Sequence, residues 1–329
     1  MPETRHRAWQ VDAFGEPEQM TLRDVPLPDP GPGQVRIRNR AAGLNFFDLL
    51  LIQGKYQARP AFPFTPGSEV AGVVDGVGAG VGGLAPGDRV AAFVEGGSYG
   101  EYSVAPAART ARLPEAVDFT PAACLLVYQT SYLALRTRAS LQASEWLLVH
   151  AGASGVGMAA IQLGRVLDAR VIATAGSREK LDFCLAQGAA HALESSDPSW
   201  VDRVKQITGG RGADVIYDPV GGDIFDLSTK CIAGEGRLLV VGFASGRIPS
   251  LAANRLLLKD FSAVGVYWGG YSARHPDYAA ATHRELVEML RDGRIRPVIS
   301  KTYGLPEAPA GLRALAERRV LGKAVLLWR

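Results

Sequence analysis

The chain has 329 residues, enough for two domains, because a single hydrophobic core stops growing at roughly 250–300 residues. Hydrophobic residues make up 47% and charged residues 21%, a balance that excludes a mainly disordered chain. The net charge is only +3, and Lys and Arg are dispersed along the chain, so nothing in the sequence indicates nucleic-acid binding or a membrane-binding patch.

The amino-terminal segment, residues 1–10, is polar and charged and leads into no apolar stretch long enough for a signal peptide or a membrane span. We therefore expect a cytoplasmic protein. The three cysteines, Cys124, Cys184 and Cys231, lie far apart and form no C-x-x-C pair. This spacing predicts free, buried thiols rather than a disulfide framework or a zinc cluster.

The first third of the chain, from Ala8 to about Arg112, alternates short β-like runs with glycine and proline. This pattern predicts a compact, irregular β domain. The predicted strands cover residues 35–38, 70–74, 89–93 and 99–104.

The hydrophobic period changes after Pro121, where residues 122–138 predict an apolar helix. From Trp146 to Val266 strand-like and helix-like segments alternate, which is typical of a doubly wound parallel sheet. The strands are predicted at residues 146–150, 170–173, 214–217, 237–241 and 261–266, and the helices at 178–187, 199–207, 224–231 and 254–258. The last segment, with helices at 282–291 and 307–317 and a strand at 323–327, predicts a return to the first domain.

A tight turn of small residues, 151–157 (AGASGVG), joins the first of these strands to a helix. The order of strand, turn and helix is that of a dinucleotide-binding motif, in which first-turn N–H groups bind the pyrophosphate. Gly152 and Gly157 occupy the outer glycine positions, Ser154 stands at the middle one, and Gly155 and Val156 open the helix. We expect the Ser154 hydroxyl to donate to the pyrophosphate. The alternative is a glycine-rich strand-to-helix turn of the kind found in any α/β protein.

The choice of dinucleotide depends on the end of the next strand, about 20 residues beyond the glycines. No carboxylate stands at the strand end, where NAD-binding proteins place one, and Ser177, Arg178 and Lys180 cluster there instead. These groups suit the 2′-phosphate of NADPH. Two alternatives remain: Arg178 and Lys180 are solvated first-turn residues of the next helix, or Glu179 points inward and supports NADH.

Several further motifs follow one another in a specific order and cover nearly the whole chain. They are residues 42–48 (AGLNFFD), 54–56 (GKY), 63–72 (PFTPGSEVAG), 87–90 (GDRV), the turn at Gly152 and residues 322–326 (GKAVL). With them the chain resembles the zinc-independent medium-chain dehydrogenase/reductases, specifically the NADPH:quinone oxidoreductases similar to zeta-crystallin. The resemblance implies a GroES-like irregular β catalytic domain from residues 1–125 and 267–329, and a Rossmann NADPH-binding domain from residues 126–266.

Within this resemblance, two positions indicate whether the chain can bind a catalytic zinc ion. The zinc-dependent relatives place a cysteine near position 45 and a histidine after the glycine at position 67, where this chain has Asn45 and Ser68. Neither is a usual zinc ligand, and no four-cysteine lobe stands between Asp88 and Ala108. We expect no metal, and hence hydride addition to an acceptor that is already electrophilic, such as a quinone or an enone.

The resemblance implies that the nicotinamide lies in a cleft between the two lobes. Asn45 and Thr130 would hydrogen-bond the nicotinamide ribose or carboxamide, and Phe243 would follow the sheet edge. Arg319 and Lys323, near the carboxyl terminus, would approach the cofactor phosphates.

The candidate catalytic residues are Tyr56, Asn45, Asp48, Tyr128 and Trp268. Tyr56 is the candidate proton donor, since a phenol can donate to a developing enolate or hydroquinone oxygen. Trp268 would flank the acceptor. The alternatives are that Tyr56 and Tyr128 pack structurally with exposed hydroxyls, and that Asp48 orients a neighbour or caps a helix.

Two other functions stay open at this stage. Residues 266–269 (VYWG) resemble a segment of some bacterial enoyl-thioester reductases of the acryloyl-CoA type. Zeta-crystallin relatives also include structural and RNA-binding members with little turnover, although no basic stripe supports nucleic-acid binding here. As a family-level expectation, the protein forms a homodimer through an edge strand near residues 261–266.

Overall fold

A computed structural model describes residues 4–328, and so the first three residues of the polar segment 1–10 lie outside the described residues. The chain divides into two compact units. The first unit extends to Leu126 and resumes at His275, and the second is formed by residues Val127 to Arg274. The second unit therefore includes residues 267–274, which the sequence assigned to the catalytic domain. Strands and helices are numbered below in chain order.

The first unit is built mainly from strands. They are β1 (Arg5–Gln10), β2 (Thr21–Pro26), β3 (Gln34–Leu44), β4 (Glu69–Val77), β5 (Arg89–Phe93), β6 (Tyr102–Pro106), β7 (Thr110–Arg112), β14 (Ile299–Gly304) and β15 (Lys323–Leu327). A seven-stranded sheet has the order β14-β15-β3-β4-β5-β7, with β6 paired to β3, and β1 pairs with β2 separately. β15, from the end of the chain, pairs antiparallel with the end of β3. The predicted return of the tail to the first domain is therefore confirmed.

Helices of the first unit pack at the ends and edges of this sheet. They are α1 (Phe46–Ile52), α2 (Phe119–Ala122), α10 (Pro276–Arg291) and α11 (Ala308–Ala316). Asn45 is the N-cap residue of α1, which begins directly where β3 ends. Within residues 4–328, no helix combines the length and the apolar character needed to cross a membrane.

Alternation along the strands explains the core of the first unit. Val35 and Ile37 of β3, and Val70 and Val74 of β4, are fully buried because every second residue of a strand points to the same face. A second apolar cluster joins Leu44 at the end of β3 to β15 and α11. The end of β3 is thus surrounded by core residues, and the polar side chains that follow it are buried with them.

The second unit is a six-stranded parallel sheet with the order β10-β9-β8-β11-β12-β13. Its strands are β8 (Trp146–Val149), β9 (Arg170–Ala175), β10 (His191–Glu194), β11 (Ala213–Asp218), β12 (Ile232–Val240) and β13 (Ser262–Gly265). Its helices are α3 (from Leu126 to Tyr132, beginning at the boundary), α4 (Gly155–Val166), α5 (Arg178–Ala186), α6 (Trp200–Ile207), α7 (Gly222–Cys231), α8 (Ala253–Lys259) and α9 (Trp268–Arg274). The strand order reverses between β8 and β11, as in the doubly wound dinucleotide-binding fold. The predicted fold class is confirmed.

Local predictions were wrong where the sequence pattern was short or interrupted. The helix expected at residues 122–138 is broken into α2, α3 and a π-helical stretch, Leu133–Arg138. The strand β10 escaped prediction because its four residues are half-buried or exposed and show no apolar run. The strands β1, β2, β7 and β14 and the helix α9 were also missed.

Candidate active site

The dinucleotide turn lies at the carboxyl end of β8, where the strand order of the second unit reverses. Ala151 has a φ of 49°, a left-handed conformation that turns the chain sharply away from the strand. Ser154 is the N-cap residue of α4 and accepts a hydrogen bond from the Gly157 N–H at 3.1 Å. The N–H groups of Gly155 and Val156 have no partner within the helix, by the geometry of its first turn. They are the donors expected to bind a phosphate.

Glycine is required at both ends of this turn. A Cβ on Gly157 would collide with the backbone carbonyl of Ala151, and one on Gly152 would lie 2.7 Å from Cys184 Sγ and 3.0 Å from Ala173 Cβ. The turn thus needs glycine for close packing of its own backbone, helix and strand, which is the role of these glycines in the dinucleotide fingerprint.

Ser154 has a more local role than the sequence suggested. Its hydroxyl donates to the carbonyl of Ala151 at 2.7 Å while it accepts from Gly157, so its one hydrogen already has a partner within the turn. In this structure Ser154 is a helix cap, and its donation to a pyrophosphate stays a prediction.

The predicted 2′-phosphate residues follow β9. Ser177 caps α5 by accepting from the Lys180 N–H at 3.4 Å, and Arg178, which is largely exposed, forms an ion pair with Asp182 at 3.1 Å. Ser195 stands beside them at the end of β10, where its N–H bonds the Ala175 carbonyl at 2.9 Å. Sequence reasoning missed Ser195, because the strand before it was missed.

A cavity of about 370 Å³ opens within the second unit at the carboxyl ends of its strands. Its lining comes from the residues that follow β10, β11 and β12 and from the start of α7: Ser195, Ser196, Pro198, Val220, Gly221, Asp223, Ile224, Leu227 and Ser245. This is the edge of a doubly wound sheet at which ligands bind. Gly221, with a φ of 68°, packs against the ring of Phe243, so the predicted Phe243 lies beside this cavity wall.

A cluster of neutral polar groups surrounds His150 in the second unit, apart from the buried carboxyl of Asp218 at the end of β11. His150 is buried between Thr174 Oγ1 and Ser228 Oγ, each 2.8 Å from a ring nitrogen. Burial lowers the pKa of His150 to about 3, so the ring is neutral. Tyr128 is also fully buried, and its hydroxyl donates to Gln162 Oε1 at 2.8 Å. Tyr128 therefore packs within this unit, but its hydroxyl is buried rather than exposed as the alternative interpretation held.

The corresponding centre of the first unit contains full charges. Lys323 Nζ donates to the carbonyl of Leu44 at 3.0 Å, to Asn45 Oδ1 at 2.6 Å and to Glu69 Oε1 at 2.7 Å. The side chains of Lys323 and Glu69 are only 2% and 1% exposed. All three ammonium hydrogens are therefore used inside the protein, and this geometry does not support the expected contact of Lys323 with cofactor phosphates.

Asn45 is tied into the same group. Its Nδ2 donates to Glu69 Oε1 at 2.8 Å, with a longer contact to the Gly43 carbonyl at 3.4 Å, while its Oδ1 accepts from Lys323. Asn45 is 5% exposed. Its amide is thus engaged within the unit rather than presented to a ligand, contrary to the role expected from the sequence.

Asp48 is completely buried three residues further on, in the first turn of α1. One of its oxygens, Oδ2, accepts from the Asn45 N–H at 2.9 Å and from the Tyr99 hydroxyl at 2.8 Å. Burial raises the pKa of Asp48 to about 7, despite these two donors. Asp48 therefore caps the helix and orients Tyr99, as the alternative interpretation held.

The remaining predicted residues stand apart from this network. Tyr56 is half-buried, and its ring lies 5.6 Å from that of Phe47 on α1. Trp268, half-buried, begins α9 of the second unit, and Thr130 lies on α3 with intermediate exposure. Arg319 forms an ion pair with Glu317 at the surface of the first unit.

A metal centre has no ligand set in the part of the chain that the structure describes. Residues 4–328 contain no group of three or more His, Cys, Asp or Glu side chains placed to hold a metal ion. Cys124 lies near Lys323 and Glu69, and burial raises the pKa of its thiol far above the usual value.

Two family models match the chain in the order of its two units. The model of the alcohol dehydrogenase GroES-like domain matches residues 31–115, and the model described as zinc-binding dehydrogenase matches residues 155–286. These matches and the observed fold define the class: the chain is a dehydrogenase/reductase with a GroES-like and a Rossmann-like domain.

The relatives to which the chain is similar place it more closely within this class. A quinone oxidoreductase of Pseudomonas aeruginosa is 37% identical over 97% of this chain and 98% of its own length, and a quinone oxidoreductase-like protein 2 homolog of Nematostella vectensis is 39% identical over 90% and 82%. The solved Escherichia coli quinone oxidoreductase in complex with NADPH has a TM-score of 0.90 at 30% identity, covering 98% of this chain and 100% of its own. The chain therefore belongs to the medium-chain dehydrogenase/reductase family, among its quinone oxidoreductases.

The sequence reasoning missed two buried side chains of this network in the first unit, Glu69 and Tyr99. Glu69 appeared only as part of a motif and Tyr99 only as part of a strand. A usable signal existed for Glu69, because a carboxylate that opens an otherwise apolar strand needs a buried partner. That partner is Lys323, which lies 254 positions further along the chain, so the sequence alone did not identify it.

Proposed function

We propose that this protein transfers a hydride from NADPH to a quinone or to another carbonyl-conjugated double bond, without a metal. The observation that carries the proposal is the turn before α4, in which any side chain at Gly157 would collide with the Ala151 carbonyl. The turn thus keeps the close backbone packing that a bound pyrophosphate requires. The NADPH complex of the Escherichia coli quinone oxidoreductase supports the choice of cofactor.

The residues proposed to hold NADPH are those of the second unit around the turn and the end of β9. The N–H groups of Gly155 and Val156 would bind the pyrophosphate, and Ser177, Arg178 and Lys180 the 2′-phosphate. Ser195 joins this group, since its backbone is bonded to the end of β9. When bound, the cofactor supplies a hydride. The protein's part is to hold and orient it.

Tyr56 is the proposed proton donor. Its ring lies against Phe47 on α1, and its half-buried position leaves the side chain within reach of solvent. A phenol can donate to an oxygen that gains charge as the acceptor is reduced. Trp268 is proposed to flank the acceptor. Asn45 and Asp48 support the structure around α1 and are not assigned a contact with substrate.

An NADPH oxidation assay with a panel of quinones, enones and enoyl thioesters tests this function. Turnover of quinones or enones with near-zero zinc by elemental analysis is the expected result. Preferential turnover of the thioesters would establish the enoyl-thioester reductase instead. Tight NADPH binding without turnover of any acceptor would favour a binding protein, and stoichiometric zinc would contradict the metal-free mechanism.

Cofactor choice has its own test in the Lys180→Ala variant. Removing a cation from the proposed 2′-phosphate site should raise KM for NADPH on the order of tenfold and leave KM for NADH nearly unchanged. Lys230→Ala, an exposed lysine of α7, is the matched control. A wild-type KM for NADH equal to or below that for NADPH would contradict the assignment.

A homodimer is proposed on the exposed edge of the second unit. β13 is the last strand of its sheet, and Leu257 and Leu258 on the adjoining α8 are 81% and 79% exposed. Edge strands and exposed apolar side chains are normally covered in a folded protein. Leu257→Glu should give a monomer by light scattering, whereas Leu185→Glu on α5 should not. A monomeric wild-type protein would contradict the proposal.

The three free, buried cysteines suit a reducing compartment, and we place the protein in the cytoplasm on that ground.

A further inference from the structure

The buried ion pair of Lys323 and Glu69 joins three separate segments of the first unit: β15, the junction of β3 with α1, and β4. Lys323 opens β15, Leu44 ends β3, Asn45 precedes α1 and Glu69 opens β4. Their side-chain and carbonyl oxygens surround one ammonium group at distances of 2.6–3.0 Å. An ammonium has three hydrogens, and each has an acceptor here.

The carboxylate of Glu69 is equally fixed. Oε1 accepts from Lys323 and from Asn45 Nδ2, and Oε2 accepts from the Leu126 N–H at 2.9 Å. Gly43 adds a steric restraint, because a Cβ at that position would collide with Glu69 Oε1 and with the Ala123 carbonyl. The carboxylate therefore has one position available to it.

These contacts determine the orientation of the Asn45 amide. Its oxygen must face the ammonium and its nitrogen must face the carboxylate, and the reversed amide would place two donors together at Lys323 and two acceptors together at Glu69. Asn45 is also the N-cap residue of α1, and α1 carries Phe47, which contacts the ring of Tyr56.

Stability alone is a weak explanation for this pair. A buried ion pair loses so much hydration that its replacement by neutral groups of similar size is often harmless to folding. A fixed hydrogen-bond geometry at the start of α1 is what the neutral groups would not reproduce.

We propose that Lys323 is a positioning residue for the reaction: its ammonium fixes the Asn45 amide and the start of α1, and through them Phe47 and Tyr56. This inference rests on the proposed role of Tyr56 as the proton donor. The dinucleotide turn, residues 151–157, belongs to the other unit, so a positioning role predicts an effect on kcat that is separate from cofactor binding.

The Lys323→Ala variant, assayed with and without ethylammonium, tests the proposal. A misplaced reacting group costs on the order of 100-fold in rate, so kcat should fall by about that factor while the Kd for NADPH stays within about threefold of wild type. Ethylammonium replaces the missing end of the side chain and should restore part of kcat with a saturable dependence, whereas the bulkier tetramethylammonium should not. A kcat within threefold of wild type, or a loss without rescue that is matched by a loss of NADPH affinity, would overturn the proposal.

A second variant covers the case in which Lys323→Ala does not fold. Combining Lys323→Met with Glu69→Gln removes both charges, which buried pairs tolerate well. The double variant should fold with a Tm near that of wild type and still show the loss in kcat. Full activity in this variant would overturn the proposal.

A measurement without turnover separates this inference from the proposed function. In the ¹⁵N–¹H spectrum, the side-chain amide of Asn45 should give one sharp pair of signals in the wild-type protein, assigned with Asn45→Asp. The pair should broaden in Lys323→Ala and sharpen again with ethylammonium. An unchanged Asn45 signal in Lys323→Ala would overturn the positioning role even if the assay failed for lack of a suitable acceptor, whereas that assay failure alone would count against the proposed function.

Discussion

The two units differ in the kind of polar groups that they bury at their centres. In the first unit, the ammonium of Lys323 and the carboxylate of Glu69 are paired within the core, with Asp48 close by. In the second unit, the cluster around His150 is neutral and consists of its own ring and the hydroxyls of Thr174 and Ser228, while the buried carboxyl of Asp218 accepts only from backbone N–H groups. Charges demand complete partners, because an unpaired buried charge costs far more than an unpaired hydroxyl. The first centre should therefore be fragile to single changes, and the second more tolerant of them.

The largest effect should come from breaking the charged centre at one partner. Glu69→Ala leaves the Lys323 ammonium, the Asn45 amide and the Leu126 N–H without their acceptor. We expect the free energy of unfolding to fall by about 3–5 kcal/mol, as measured by urea denaturation.

The matched control for Glu69→Ala is Glu101→Ala, which removes a surface ion pair with Arg7. Pairs exposed to water contribute less than about 1 kcal/mol. Similar losses in the two variants would mean that burial of the pair in the first unit has no special energetic consequence.

The second largest loss of stability should come from the dinucleotide turn of the second unit, residues 151–157, where the cause is a steric clash and not an unpaired charge. Gly157→Ala forces a Cβ against the Ala151 carbonyl. Overpacking of this kind costs about 1–3 kcal/mol, and displacement of the α4 N-terminus should weaken NADPH binding as well. Calorimetry of unfolding and of NADPH binding would measure both. Gly82→Ala, which meets no atom within 4 Å, should change neither, and normal NADPH affinity in Gly157→Ala would remove the turn from the cofactor site.

The contrast between the units also explains what the sequence could predict. The turn at residues 151–157 is local: strand, small residues and helix follow one another within about a dozen positions, so its place and its role in the fold were readable. The charged centre combines positions 45, 69 and 323, and only folding brings them together. Lys323 was therefore expected to approach the cofactor phosphates, and Asn45 to contact the nicotinamide ribose or carboxamide.

Tyr128 shows a related limit. Residue type and neighbourhood suggested a hydroxyl available for chemistry, but the helix that carries it is interrupted and turns the side chain towards Gln162 on α4. Which way a helical side chain points depends on where the helix begins, and the sequence placed that helix from 122 to 138 without a break.

The charged centre of the first unit can also be tested by measuring how the stability of the wild-type protein and of Asp48→Asn depends on pH. The pKa of Asp48 is raised from 3.8 to about 7 in the folded protein, so between these values the folded state holds a proton that the unfolded chain has lost. Stability must then decrease as the pH rises through that window. Asp48→Asn keeps the shape without the titration, so we expect it to gain about 2 kcal/mol relative to wild type between pH 5 and pH 7. A constant difference between the two proteins across this range, by urea denaturation, would contradict the buried, protonated carboxyl.

The smallest effect, of opposite sign, should come from His150 in the second unit. Its pKa is lowered from 6.5 to about 3, so below pH 6.5 the unfolded chain takes up a proton that the folded protein excludes. Stability must therefore fall as the pH falls, by about 1 kcal/mol between pH 6.5 and pH 5.5. His150→Asn removes this dependence, whereas the other buried histidines, His6 and His283, contribute equally to both proteins and cancel from the difference. If wild type and variant lose stability in parallel over this range, His150 is charged in the folded protein, and the neutral character assigned to the second centre is wrong.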